Sequence, residues 1–209
     1  MTGDAWFKDV ALGHIKAYLK HGWDAKEKRW FAMLSLDGTP VLSQEKGAGY
    51  DAYKPTGHVD TWPVIMFSYE FPLVAAQTAV YAYELTQDPS ALESAHHWAQ
   101  QIRSDLPPGA GRRWRDELHV ALPEAAAKGG TYAENYGRAV DFFRRLHAIT
   151  GDPADLSTAR ALAEEAIAKL YTADGWFRGH PAKPYYESTD GVGILLDALW
   201  NLGAPVPAA

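Results

Sequence analysis

The stretches LTQDPSAL, residues 85–92, and ITGDPADL, residues 149–156, share one pattern, and this pattern decides the fold. Each begins with apolar, helix-type sequence, passes through an Asp-Pro pair, and returns to helix-forming residues. Aspartate is a preferred N-cap, and a proline in the first helical position loses no intrahelical hydrogen bond. We therefore predict that Asp88 and Asp152 are N-caps and that each stretch is the tight turn of an αα-hairpin.

The segments around these turns differ in their apolar patterns. After the second turn, Leu156, Ala159, Ala163, Ala166, Ile167 and Leu170 fall on one stripe, as expected for an outer helix with one solvated face. The segments before the turns are apolar nearly all round, as expected for inner helices. We predict three outer helices, over 6–20, after the Asp88-Pro89 turn and over 156–170, and three inner helices, over 71–83, 139–149 and 192–202.

Long segments rich in Gly, Pro and aromatic residues separate each outer helix from the next inner one, over about 22–69, 107–132 and 172–186. Within the first of these, apolar residues flank Asp37-Gly38, which predicts a small β-hairpin over 30–42. Loops of this length in a compact domain are usually functional. The chain is predicted to form one all-α domain, residues 1–209, of six helices in three hairpins.

Composition excludes several classes of function. The chain has 209 residues, a net charge of −6 and no cysteine, so nucleic-acid binding, disulfides and thiolate metal sites are not expected. No apolar run is long enough to span a membrane, and the start, MTGDAWFKDV, lacks a signal-peptide pattern. The chain as given is predicted to be soluble, and its compartment stays open because a secreted parent protein is compatible with this sequence.

One acidic residue recurs in the same register. Glu70, Glu134 and Glu187 lie at equal spacing before Leu85, Ile149 and Leu202, and each follows a tyrosine or a tyrosine-containing pair. Carboxylates in a first helical turn commonly offset the helix dipole, and Thr131 to Glu134 also matches a capping box. If the hairpins pack side by side, however, the three carboxylates meet on one rim.

Together, the alternating inner and outer helices, the TGDP turn, the YAEN helix start and the terminal FRGHPAKPYYESTDGVGILL resemble the α/α-toroid, or six-hairpin, proteins that act on carbohydrates. That group includes polysaccharide lyases, glycoside hydrolases and sugar epimerases. The resemblance covers nearly the whole chain at the level of architecture and implies a glycan cleft at the N-termini of the inner helices. A complete toroid has about twice as many hairpins, so it implies an incomplete one here.

Two chemistries fit these residues. Hydrolysis requires two carboxylates about 5 to 9.5 Å apart, for which Glu70, Glu134, Glu187, Asp60 and Asp190 are candidates. A helix N-terminus favours the ionised carboxylate, so the three glutamates suit a base or nucleophile better than a proton donor.

Elimination from a uronic acid instead requires a cation and a proton acceptor. The candidate cations are Arg138, Arg178, His180 and Lys183. The candidate proton acceptors are Tyr136, Tyr186 and His180. An i,i+4 ion pair with Glu134 is the alternative role for Arg138. We lean towards hydrolysis because three carboxylates share one structural position.

The sequence thus predicts a carbohydrate-active enzyme that binds and cleaves a polysaccharide or oligosaccharide, with a non-catalytic glycan- or protein-binding scaffold as the competing class. The candidate catalytic residues are Glu70, Glu134, Glu187, Asp190, Tyr136 and His180. The candidate substrate-binding residues are Asp60, Trp62, Tyr69, Arg138, Arg178, Lys183 and Tyr186.

The expected cofactors and partners follow from the same patterns. There is no HExxH or similar spacing, so no transition metal is expected, while calcium held by acidic side chains and carbonyls stays open. Half a toroid leaves apolar flanks uncovered, which predicts a homodimer or the remainder of a longer chain as the covering partner. Neither a membrane nor a nucleic acid is an expected partner.

Overall fold

The computed structural model describes residues 5–43, 56–62, 71–109, 129–186 and 191–203. Helices account for 62% of these residues, and the described strands form one small two-stranded antiparallel sheet, which confirms the all-α prediction. The helices are α1 Ala5–Gly22, α2 Pro72–Thr86, α3 Pro89–Ser104, α4 Ala133–Thr150, α5 Pro153–Leu170 and α6 Val192–Gly203. The strands are β1 Trp23–Asp24 and β2 Arg29–Trp30.

Both Asp-Pro turns connect consecutive helices that pack on each other, α2 with α3 and α4 with α5. The Asp88 and Asp152 side chains each accept a hydrogen bond from the backbone N–H two residues later, at 3.0 Å and 2.9 Å. The preceding helices end at Gln87 and Gly151 in the left-handed conformation, which reverses the chain. The predicted N-caps and tight turns are confirmed.

The chain divides into two compact units. The first comprises residues 1–59 and 67–104 and contains α1, the sheet, α2 and α3. Its core is aromatic: the fully buried rings of Trp30 and Trp98 stack with their centroids 5.1 Å apart. The Gln101 side chain on α3 accepts a 2.7 Å hydrogen bond from the Trp30 backbone, so this buried strand end keeps a polar partner.

The second unit comprises residues 60–66 and 105–209, and α4 is its central helix. Helix α4 packs on both α5 and α6. Its buried side chains include Tyr136, Val140, Phe142, Phe143 and Leu146. The core of this unit therefore lies around α4.

Two helices of the second unit differ from their predicted patterns. Along α5 the predicted stripe is buried at Ala159, Ala163 and Ala166, whereas Ile167 is largely exposed. Helix α6 buries one side against α4, and its opposite side leaves Leu196 and Trp200 exposed, the latter by 80%. The expectation that α6 resembles the other inner helices is thus wrong for this face, because no described element packs there.

The predicted β-hairpin over 30–42 is present as a short antiparallel pairing of residues 33–35 with residues 39–41, without regular strands. Ser35 donates its backbone N–H to Thr39 O at 2.9 Å around Asp37-Gly38, and Leu34 and Pro40 form an isolated antiparallel bridge. The two-stranded sheet lies earlier, with Trp23 paired to Trp30. Among the described residues, no helix combines the length and hydropathy needed to cross a bilayer.

Candidate functional site

The segment after α5 folds back on the helix end and presents a tryptophan. Arg178 donates its backbone N–H to Leu170 O at 3.0 Å, and Thr172 donates to Trp176 O at 2.8 Å. Between them Gly175 has a φ of +85°, a conformation that glycine adopts without strain. The hydrogen bonds fix the base of this turn, while the Trp176 side chain is 61% exposed.

Trp176 lies on a cleft of about 450 Å³, and all of the described residues that line it fall within 172–186. Tyr185 and Tyr186 line it as well, and the ring centroids of Trp176 and Tyr186 are 5.7 Å apart. All three rings are about half exposed or more. Three exposed rings around one cleft form a contiguous apolar surface, and such surfaces commonly mark binding sites.

The same cleft contains polar groups of several kinds. Thr172 contributes a hydroxyl, Asp174 a carboxylate and Arg178 a guanidinium, so both signs of charge are present. The Nε atom of Arg178 is buried and has no hydrogen-bond partner among the described residues. The cleft therefore combines aromatic faces with hydrogen-bonding groups, which is the usual composition of a small-molecule site.

The end of the 172–186 segment is held against α4. Gly179 O accepts a 2.8 Å hydrogen bond from the backbone N–H of Ala133. His180 is buried with its ring 4.7 Å from that of Tyr132, and Lys183 Nζ lies 5.3 Å from the centre of the same Tyr132 ring. His180 and Lys183 thus pack on Tyr132 at the start of α4 and do not line the cleft.

Glu134 lies in the first turn of α4, where it is paired with Arg138. Its Oε1 accepts hydrogen bonds from Nε and Nη2 of Arg138, both at 2.8 Å, and both side chains are about three-quarters buried. The predicted capping box is wrong: the helix starts at Ala133, the N-cap Tyr132 makes no side-chain cap, and the Thr131 hydroxyl accepts from Asn135 instead. The predicted i,i+4 ion pair is present.

Tyr136 is fully buried and joins α4 to α5. Its hydroxyl donates a 3.0 Å hydrogen bond to Glu165 Oε1. Burial raises the pKa of this hydroxyl, and the neighbouring Glu165 carboxylate raises it further. A phenol that stays protonated and faces another carboxylate is a poor proton acceptor, so this geometry gives Tyr136 a packing role in place of the predicted catalytic one.

Asp60 and Trp62 lie on a buried turn. Trp62 is 1% exposed, and its indole N–H donates to Asp105 O at 2.8 Å. Asp60 is also buried and accepts from the Trp62 backbone N–H at 3.3 Å. The prediction that Trp62 binds substrate is therefore corrected: its ring belongs to the core, because a buried ring cannot contact a ligand.

The rest of the predicted rim lies outside the described residues, namely Tyr69, Glu70, Glu187 and Asp190. The meeting of Glu70, Glu134 and Glu187 stays a prediction. Within the described ranges, no three His, Asp or Glu side chains are grouped as metal ligands would be.

Of the predicted site residues that the structure describes, only Arg178 and Tyr186 line the cleft. Six other described residues line it and are absent from the predicted site: Thr172, Asp174, Trp176, Phe177, Pro184 and Tyr185. A local signal for Trp176 exists, since Asp174-Gly175 is a turn dipeptide and places the following side chain at the tip of a short hairpin. Its exposure, however, depends on how the turn packs on α5.

Comparison of the chain with known proteins gives no match to a family model, a curated protein or a solved structure. The function is therefore argued from the chemistry of the cleft.

Proposed function

We propose that this protein is carbohydrate-active and binds an oligosaccharide or polysaccharide in the cleft formed by residues 172–186. The observation that carries this proposal is the group of three exposed aromatic rings, Trp176, Tyr185 and Tyr186, around one open cleft of about 450 Å³. Exposed aromatic rings normally need a partner, since each keeps a large apolar area in water.

Sugars match such a surface because one face of a pyranose ring presents C–H groups while its edge carries hydroxyls. The C–H face packs on an indole or phenol ring. The hydroxyls need donors and acceptors, which Thr172, Asp174 and Arg178 supply at the same cleft. A purely apolar ligand would leave these polar groups unpaired at a cost.

We propose further that the bound glycan is cleaved, with hydrolysis by a carboxylate pair as the leading mode. Glu134 lies in the first turn of α4 with its Oε1 2.8 Å from the Arg138 guanidinium, and a carboxylate can act as a base or nucleophile. Its partner would come from Glu70, Glu187, Asp60 or Asp190. Elimination from a uronic acid is the alternative mode, with Arg178 as cation and Tyr186 as proton acceptor, since both line the cleft.

The finer architecture that we propose is three αα-hairpins of an incomplete α/α-toroid. A repeated junction supports it: the chain forms the same short antiparallel turn after α1 and after α5. In the first, Phe31 N donates to Gly22 O at 2.8 Å beside the pair Trp23 and Trp30. In the second, Arg178 N donates to Leu170 O beside the bridge between residues 171 and 177.

Binding is tested with a panel of neutral and uronic oligosaccharides by isothermal titration calorimetry. We expect saturable binding of at least one glycan and a loss of tenfold or more in Trp176→Ala. Trp6→Ala is the matched control, because Trp6 is 63% exposed but lies on α1, far along the chain from the cleft segment. Equal affinity of the wild type and Trp176→Ala would refute the assignment of the cleft.

Cleavage is tested on the same panel by measuring new reducing ends and the ultraviolet absorbance of unsaturated products. Reducing ends without absorbance indicate hydrolysis, and both signals together indicate elimination. We expect Glu134→Gln to abolish reducing-end formation while leaving glycan binding in the 172–186 cleft intact. Binding with neither signal, in a folded protein, would leave a glycan-binding scaffold and refute the enzyme proposal.

We also propose a homodimer, or an equivalent covering segment from a longer chain, over the outer side of α6. Leu196 and Trp200 are spaced by one helical turn on this side and are both exposed. Within α6, only Asp197 carries a charge, so little opposes burial of this side against an apolar partner.

A further inference from the structure

The first compact unit contains a second cavity, formed where α1, α2 and α3 meet. Its volume is about 190 Å³. Ile15 from α1, Ala79 from α2 and Trp98 from α3 form its inner wall and are all buried, while His14 and Thr78 lie at its exposed mouth. The cavity exists because α2 has small side chains at this point: a longer residue at Ala75 or Ala79 would fill it.

The wall of this cavity includes a serine hydroxyl. Ser94 on α3 is 4% exposed and lines the cavity. A hydroxyl in a cavity wall can donate and accept, so it can form a hydrogen bond with a ligand that carries a matching polar group.

We propose that this cavity binds a small single-ring aromatic alcohol of the phenol class, with its ring beside Trp98 and Tyr18 and its hydroxyl hydrogen-bonded to Ser94. An apolar cavity of about 150 Å³ holds a benzene molecule, so about 190 Å³ accommodates one ring with one substituent. Aromatic side chains in the wall favour an aromatic ring. A serine hydroxyl both donates and accepts, which suits a phenolic hydroxyl.

The ring faces that form this wall are fixed by other contacts. The Tyr18 hydroxyl donates a 2.6 Å hydrogen bond to Phe31 O, and the Tyr18 ring stacks on Trp30 at 4.7 Å. Trp98 also stacks on Trp30, at 5.1 Å. The cavity is therefore bounded by side chains that are already ordered, so a ligand need not organise them on binding.

The test uses phenol and benzene as probes of the full chain, with dissociation constants from ligand-observed NMR. We expect saturable phenol binding, a three- to tenfold weaker phenol affinity in Ser94→Ala, and unchanged benzene affinity in that variant. Ser157→Ala is the matched control, because Ser157 is an exposed serine on α5 in the other compact unit. It should change neither constant.

A filling variant locates the site independently of the hydroxyl. Ala75→Leu places extra volume at the cavity wall and should weaken both probes by tenfold or more, with the fold verified by far-ultraviolet circular dichroism. Should this variant not fold, Thr78→Phe at the exposed mouth serves the same purpose. Absence of saturable phenol binding, equal phenol affinity in Ser94→Ala, or full binding in the folded filling variant would each overturn the proposal. None of these outcomes depends on glycan binding by residues 172–186.

Discussion

Gly137 in α4 lies directly against the backbone of Leu195 in α6. A Cβ atom at Gly137 would approach Leu195 N to 2.6 Å, closer than a methyl group can come to a main-chain atom. Glycine costs about 1 kcal/mol relative to alanine inside a helix, so its use here has a packing reason. Because Gly137 has no side chain, the backbones of α4 and α6 can approach each other closely at this point. The contact therefore fixes the position of α6 along α4.

Gly137→Ala is expected to destabilise the protein by about 1 to 3 kcal/mol in urea unfolding, despite the higher helix propensity of alanine, because the two helices must separate. Gly13→Ala is the matched control. Gly13 lies inside α1, and beyond its own helical backbone no described atom lies within 4 Å of the place that an alanine methyl group would take. Alanine there should therefore stabilise by about 0.5 to 1 kcal/mol. An increase in stability at both positions would contradict the close contact of α4 and α6.

Tyr136→Phe is expected to lower the free energy of unfolding by about 1 to 2 kcal/mol, because it removes the buried hydrogen bond to Glu165 that joins α4 to α5. Tyr171→Phe is the control, since Tyr171 is about half exposed. Glycan binding and any cleavage should survive in Tyr136→Phe. Loss of cleavage with unchanged stability would instead restore Tyr136 as a catalytic residue.

Stability should depend on pH through His97. This ring stacks face to face on Trp23 with centroids 4.1 Å apart, and burial lowers its pKa from 6.5, against a smaller opposite effect of Glu93. As the pH falls below 6.5, the unfolded chain binds a proton at His97 before the folded one does, so the free energy of unfolding decreases until the folded pKa is reached.

Chemical unfolding at pH 7.5 and pH 5.0 measures this effect. His97→Phe should reduce the loss of stability between these two pH values, whereas His96→Phe, at the exposed neighbouring position, should preserve it. If the free energy of unfolding decreases by the same amount in the wild type and in His97→Phe, other groups cause the pH dependence.

The exposed side of α6 gives a prediction about assembly. We expect a dimer by light scattering at micromolar concentrations, and a monomer for Trp200→Glu, because a charge at this position opposes burial against an apolar surface. Lys169→Glu, on the neighbouring α5, controls for charge alone. A monomeric wild type across the same concentrations would refute self-association through α6.

The two hairpin turns are features of the fold that the local sequence determines. Asp88 and Asp152 cap helices through their own backbone neighbours, so the residues that determine these turns are adjacent in the chain. The same holds for the pair Glu134 and Arg138, which are one helical turn apart. The capping box at Thr131 failed because helix α4 begins at Ala133, where the backbone is also held by Gly179 from a distant segment.

The sequence by itself determined the helices, the two Asp-Pro caps and the order of the elements, because periodicity and turn chemistry act between near neighbours. Tertiary structure decided which aromatic and ionisable groups are accessible. Trp62 and Trp176 are both loop tryptophans, yet one is enclosed by the core and hydrogen-bonded to Asp105, and the other stands at a cleft. Burial depends on contacts between distant segments, and so a residue's type and spacing cannot alone make it a binding residue.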